Sequence, residues 1–359
     1  MKSGLAIEDL ASEIVRQKDC KEDYIVNANR INMECYGRDI LLRVLDDQGQ
    51  DRIEPLDVSP IAHKQIGTHL SIPAKYYSKM LEEDPALLVT NVNTWLDRTG
   101  SQRMLRVLDG VARAFLSNRY LRMDHFPVTQ AVIPILGEMP QIRFESCQIT
   151  DNRMYIKVVN PALEAEVAPN DVVQAGLLIS NSEVGLGSVS IQPLIYRVHT
   201  GTGMFVNDSA TKRNHVGRTN FAEIHFQLHS TENCTLDDHT FLRTIQGSVR
   251  NSANTERFHS VVEMMRRART QQMDTRNIPA VVKQAGKDFG ITESEQSGVL
   301  QHLMENDDMT QYGLANAVTH HSQDVDSYDR ATDLEGIGYS IMAMPQNQWN
   351  RINQAAQPY

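Results

Sequence analysis

The first third of the chain mixes short alternating apolar–polar runs with stretches of helical spacing. Ile40-Leu41-Leu42-Arg43-Val44-Leu45 runs into Asp46-Asp47-Gln48-Gly49, which reads as one strand of a hairpin and its turn. Ser59 before Pro60 is an N-cap followed by proline at the first helical position, and it opens a helix through about Leu70. Asp84-Pro85 repeats that signal, with Leu87, Leu88, Val92, Trp95 and Leu96 as a helical stripe. Three short helices here serve as packing elements.

The middle of the chain is richer in strands. Its clearest hairpin joins residues 103–108 to 111–116 through Asp109-Gly110, whose two residues can both take the positive φ of a type I′ turn. Arg103, Arg113 and Arg106 decorate that hairpin among apolar neighbours. Residues 142–149 and 154–159 form a second hairpin, and 176–180 and 189–196 follow as strands. Phe221, Ile224, Phe226 and Leu228 mark one more. After about residue 235 the period becomes helical. Leu236 to Gln272 reads as one long helix, broken or kinked near Gly247, and Asn277-Pro279 opens another that stops at Gly290. Thr292-Glu293-Ser294-Glu295 is a capping box, and Thr310 and Ser327 cap two more helices.

Strands first and helices afterwards indicate an α+β fold: an antiparallel, hairpin-rich sheet with packed helices, followed by a mostly helical C-terminal region. The boundaries expected are an α+β core over 1–234, a helical region over 235–340 and a polar tail over 341–359. A length of 359 residues suits two domains, or one large core with an appended piece. No apolar run approaches the roughly 18 residues of a membrane span, and no apolar stretch after Met1 resembles a signal peptide. Cys20, Cys35, Cys147 and Cys234 show neither zinc-ribbon nor disulfide-framework spacing, so a cytoplasmic protein is expected.

Charge changes the picture more than composition does. The net charge is −10, and residues 288–338 alone carry eleven acids against Arg330, whereas residues 97–287 are net +4. The acidic stretch reads as solvated helix faces, or as a surface that screens the basic middle or recruits a protein partner.

Four blocks carry a family resemblance. They are residues 66–77 (Ile-Gly-Thr-His-Leu-Ser-Ile-Pro-Ala-Lys-Tyr-Tyr), residues 113–120 with Asp124, Ser180-Asn181-Ser182-Glu183-Val184-Gly185-Leu186-Gly187-Ser188 closing in 193–197, and 312–319 with 328–335. Together they resemble the phage/plasmid-like family called domain of unknown function 932, over about residues 60 to 340. The resemblance implies a mobile-element setting and no particular activity. Where that family is expected to show Cys-Thr-Asn-Gly after the Tyr-Arg, this chain has Val198-His199-Thr200-Gly201-Thr202-Gly203. A looser similarity, in hairpins plus helices and in setting, is to single-strand annealing recombination proteins.

The candidate chemistry is a set of basic and aromatic residues. Arg113, Arg119 and Tyr120 lie by the first hairpin, Arg197 ends a strand, and Lys212, Arg213 and Arg218 share a loop. Arg243, Arg250 and Arg257 are spaced by seven, so on one helix they share a face. Arginine binds phosphate bidentately, and aromatic rings beside it suit a single strand. A solvated helix face paired to the acidic segment is the structural alternative. No phosphate-binding GxxxxGK[ST] and no complete dinucleotide fingerprint occurs, and the loop around Gly185 and Gly187 reads as a tight strand connection in which Glu183 alone could carry chemistry. Of twelve histidines, His225 with His229 and His320-His321 beside Asp324 and Asp326 invite a metal. Neither set has a recognised ligand pattern, so no metal and no cofactor is expected, and Asp324, Asp326 and Asp329 read as caps and solvating charge.

The function expected is therefore a non-enzymatic, oligomeric DNA-binding protein of a mobile element, acting on single strands in recombination or replication. The alternatives are a phage-encoded protein that neutralises a host defence or binds phage or host proteins through its acidic helices, and a metal-dependent enzyme acting on nucleic acid.

Overall fold

Local signals place most elements. A computed structural model describes residues 1–120, 122–139, 141–187, 189–206, 243, 246, 247, 249 and 255–356. Asp109 and Gly110 take φ of 51° and 77°, as a type I′ turn requires, and close β5 (Gln102–Leu108) onto β6 (Val111–Ser117). Ser59 accepts from the Ala62 N–H and starts α2 (Pro60–His69); Asp84 does the same for Leu87 at the head of α4 (Pro85–Asp97). Between them lies α3 (Ala74–Glu83). The α+β class holds, with a helical C-terminal region.

The strands divide into two sheets rather than one. In the first the order is β1-β5-β6-β4-β3-β2. Here β1 is Lys21–Asn27, β2 Ile31–Tyr36, β3 Asp39–Val44 and β4 Leu56–Val58. All neighbours are antiparallel except β4 and β6. The strand at 40–45 is β3, which pairs backwards onto β2 over its whole length and forwards, past the Leu45–Asp51 bridge, onto short β4. Helices α2 to α4 cover this sheet through Leu42, Ile66, Met80, Leu88 and Leu105.

The second sheet is an antiparallel meander, β11-β10-β9-β8-β7. Its strands are β7 (Arg143–Ile149), β8 (Met154–Ala168), β9 (Asp171–Asn181), β10 (Ser190–Arg197) and β11 (Thr202–Phe205). Helices α1 (Ile7–Cys20) and α5 (His125–Glu138) pack on it through Leu10, Ile14, Val128 and Val132 against Ile156 and Ile179. The C-terminal helices are α6 (Thr255–Thr270), α7 (Ile278–Phe289), α8 (Glu293–Asn306), α9 (Gln311–His321), α10 (Tyr328–Met342) and α11 (Gln346–Gln354). Val173, Ile195 and Met204 of the sheet share one core with Val262, Leu303, Leu314 and Leu334 of those helices.

Two expectations need correction. The residues read as a polar tail contain α11, which buries Trp349 and Ile352; the indole N–H donates to the Gln272 carbonyl at 3.2 Å. Two apolar side chains on one face anchor a segment whose average composition is polar. The acids of 288–338 are also not simply solvated. Glu295 pairs with Arg330 at 2.7 Å inside the α8 capping box, Asp288 with Arg351 at 2.5 Å, and Glu335 is fully buried against Lys157. Asp329 caps nothing: it accepts from the Tyr155 hydroxyl, Thr150 and Asn152, while Ser327 caps α10. No helix among the described residues is long and apolar enough to cross a membrane.

Candidate functional site

The two sheets meet at the loop that follows β9. Gly185 and Gly187, at φ 79° and 141°, let residues 182–187 turn tightly, as the small-residue connection requires. Gln65 of α2 bridges this loop to the hairpin: its amide donates to the Val184 carbonyl at 2.7 Å, and its oxygen accepts from the Phe115 N–H at 2.7 Å.

Beneath the loop lies a buried ion network. Glu183 is 3% exposed. It accepts from Lys21 Nζ at 3.0 Å, the His125 N–H at 2.7 Å and Arg113 at 3.4 Å. Arg106 grips Asp23 at 2.8 Å and Asp124 at 2.7 Å, and Lys21 reaches Asp124 at 2.8 Å. The register explains the geometry. Asp23 and Arg106 stand opposite each other on β1 and β5, and a bulge between Arg106 and Val107 leaves Arg113 as the extra residue of β6, which re-aims its side chain. Burial alone would raise the Glu183 carboxyl, but the positive groups facing it and the His125 N–H reverse that and hold it below the usual carboxylate range. Burial lowers His125 to about 4, so the ring is neutral at pH 7, and its Nδ1 meets the Asn181 amide at 3.0 Å. Lys21, Arg106 and Arg113 are paired with Asp23, Asp124 and Glu183, and Arg122, largely exposed, adds a fourth cation 3.4 Å from Asp23. The buried ions lock one sheet to the other and leave no buried charge to spare for a ligand.

A different surface has one. A groove of about 630 Å³ runs between α2 and the β5–β6 hairpin, lined by Lys64, Thr68, His69, Arg103, Ser117 and Asn152 among others, with no carboxylate among the described residues that line it. The Arg103 guanidinium lies 5.0 Å over the Phe115 ring, and its buried Nε has no hydrogen-bond partner. Burial lowers its pKa, the mark of a cation held without compensation among the described residues. Burial and the Arg103 charge together favour neutral His69. A second cavity, about 780 Å³, lies on the far side of Pro60 and Ile61 but mixes signs, with Glu13, Arg16, Asp109, Arg113 and Asp151.

The basic residues picked from sequence are scattered by the fold. Arg119 is exposed just beyond the groove residue Ser117. Arg113 turns inward to Glu183, Tyr120 is half-buried and donates to the Ser182 carbonyl at 3.3 Å, and Arg197 is held by Asp171 at 2.6 Å over the Tyr312 ring. Arg243 is helical and exposed; Arg257 is half-buried in α6, beside an apolar pocket with Phe258 and Val261. Lys212, Arg213, Arg218 and Arg250, the strand around Phe226, and His225 with His229 lie outside the described residues. The aromatic platform expected beside these bases is not at the surface, because Phe115 and Tyr196 are buried in the core. Sequence reasoning missed Lys64, Thr68 and His69. Their signal was the i, i+4 spacing of Lys64 and Thr68 on the helix that Ser59-Pro60 announces.

Compared with protein-family models, with curated proteins and with solved structures, the chain matches none.

Proposed function

We propose that this protein binds single-stranded DNA, with the phosphate backbone running along the groove between α2 and the β5–β6 hairpin. The observation that carries this reading is Arg103: a half-buried guanidinium, stacked on Phe115, in a groove whose described lining offers Lys64 and no carboxylate. A desolvated cation without a counter-charge is costly, and an anionic ligand removes that cost. Hydroxyl and amide groups of Thr68, Ser117 and Asn152 suit phosphate oxygens beside the two cations. The groove residue His69 meets Ser101 at 3.5 Å. On α4, Arg98 lies 5.2 Å over the exposed ring of Trp95, a surface on which a base can stack. The mobile-element setting rests on the resemblance of the four sequence blocks. The alternative, binding of a phage or host protein through the acidic helices, keeps exposed Glu293, Asp307, Asp326 and Asp333 as its surface.

Fluorescence anisotropy with labelled single- and double-stranded oligonucleotides at two salt concentrations tests the reading. Arg103→Ala should weaken single-strand binding about tenfold or more, the order expected for a hydrogen bond to a charged group, and Lys64→Ala somewhat less. Each should lower the salt slope by about 0.7. Arg16→Ala, in the mixed-charge cavity, should leave the affinity unchanged. Folded wild-type protein that binds no oligonucleotide, or binding that Arg103→Ala does not alter, would remove the groove from the account.

A further inference from the structure

We infer that His302, His321 and Asp324 form a binding site for a zinc-class divalent ion at the outer end of α8 and α9. This stands apart from the groove and from the DNA-binding reading. The sequence places His321 three residues before Asp324, in a pattern too sparse to bind a metal alone. The fold adds His302 from the preceding helix. Each of the three residues brings a ligand atom to within 4.8 Å of the others. The Asp324 carboxylate oxygen lies 2.6 Å from His302 Nε2 and 3.3 Å from His321 Nδ1. Tetrahedral donors about 2.0–2.1 Å from a zinc ion stand a little over 3 Å apart, so small side-chain shifts suffice.

The surroundings favour a cation over a plain hydrogen-bond cluster. Gly298 precedes His302 by one helical turn, and a β-carbon there would collide with the His321 ring, so the helix surface is cut back to seat that imidazole. Both histidine side chains are nearly buried, at 13% and 12% exposure, while Asp324 is 51% exposed and leaves a coordination position open to solvent. The His320 ring stacks on His302 at 4.2 Å. Buried Nδ1 atoms of His302 and His320 have no hydrogen-bond partner. When the Nε2 of His302 binds metal, its proton resides on Nδ1, which Glu305 faces at 3.6 Å. Metal binding would draw Glu305 in to accept from Nδ1, and such a carboxylate behind the ring fixes its tautomer and orientation. His320 and His321 also end α9, where the helix dipole favours positive charge. Two imidazoles with one carboxylate select zinc, cobalt or nickel over magnesium or calcium.

The test uses the untagged full-length chain, stripped with chelator and titrated with zinc and, separately, with cobalt(II), whose visible absorption reports tetrahedral coordination. Bound metal is counted after dialysis. The expected result is one ion per chain, a higher melting temperature with zinc but not with magnesium, and an intense cobalt band. His302→Ala and Asp324→Asn should each weaken zinc binding by about 100-fold. Glu305→Gln, which touches no metal and keeps the fold, should weaken it by about tenfold, within the range for carboxylates that orient a ligating histidine. His199→Ala, an exposed histidine elsewhere, serves as the control. Wild-type protein that takes up no more zinc than His302→Ala, or equal stabilisation by magnesium and zinc, overturns the assignment. So does an unchanged affinity in Glu305→Gln together with Asp324→Asn.

Discussion

Lys157→Met is expected to destabilise the protein by about 3–5 kcal/mol, the usual loss when one partner of a buried ion pair is removed. Lys157 on β8 and Glu335 on α10 are both fully buried, with Nζ 2.7 Å from the carboxylate. The ammonium also donates to Thr332 at 3.1 Å and lies 4.7 Å over the Tyr328 ring. The second Glu335 oxygen is buried without a hydrogen-bond partner, so Lys157 is the cation that bonds the carboxylate directly, with the Met1 ammonium as a further positive charge nearby. Methionine keeps the volume and removes the charge, which isolates the electrostatic effect from cavity formation. Adding Glu335→Leu should restore most of the loss, because a well-packed apolar pair replaces buried charges at little cost. Urea denaturation at pH 7 of the two single variants and the double variant measures this. A single-variant loss below about 1 kcal/mol would show that the pair is solvated, in line with exposed ion pairs.

The second large effect is a loss of stability in mild acid. Burial lowers His63 and His125 from 6.5 to about 4. Between those values the unfolded chain takes up protons that the folded chain refuses, so stability falls as pH drops from 6.5 toward 4. Each imidazole contributes on the order of 3 kcal/mol across that window, because every tenfold difference in proton affinity between the folded and unfolded chain is worth about 1.4 kcal/mol. Glu183 and Asp124 extend the loss further. Burial opposes ionisation of both, yet Lys21 and the other positive groups hold both carboxyls below their ordinary range. Their stabilisation is therefore present above the unfolded carboxyl pKa and disappears as pH falls through the lower folded values. Urea midpoints at several pH values from 7 down to 4 should decline from the first steps, and His63→Gln should flatten the curve. A midpoint that stays level until carboxylates titrate would mean that the two rings are protonated in the folded state.

Both effects arise from contacts that no stretch of sequence displays. The hairpin turn at Asp109-Gly110, the caps at Ser59, Asp84, Thr292, Thr310 and Ser327, and the stop at Gly290 were all legible, because each depends on one or two residues and their neighbours. The loop at 182–187 was legible as a glycine-dependent connection for the same reason. The candidate groove was legible only in fragments: Arg103 as part of a basic hairpin, and Lys64 with Thr68 as one side of a helix. That these fragments face each other, and that Arg113 and Arg197 do not join them, follows from a bulge and from pairing across the chain.

What the sequence determined by itself was the α+β class and the starts of those helices that carry a capping residue, since capping, turn chemistry and apolar period act within a few residues. The tertiary structure decided the division into two sheets, the parallel insertion of β4 beside β6, and above all the fate of each charge. Glu183, Glu335, Arg106 and Arg113 are ordinary surface types in the sequence. They are internal ions in the fold because sheet register and helix packing bring opposite charges from distant segments within hydrogen-bond reach. His302 likewise joins His321 and Asp324 only through the packing of α8 on α9. Hydrogen bonding and ionic attraction in the interior act over a few ångströms, and only the folded chain sets which groups lie that close.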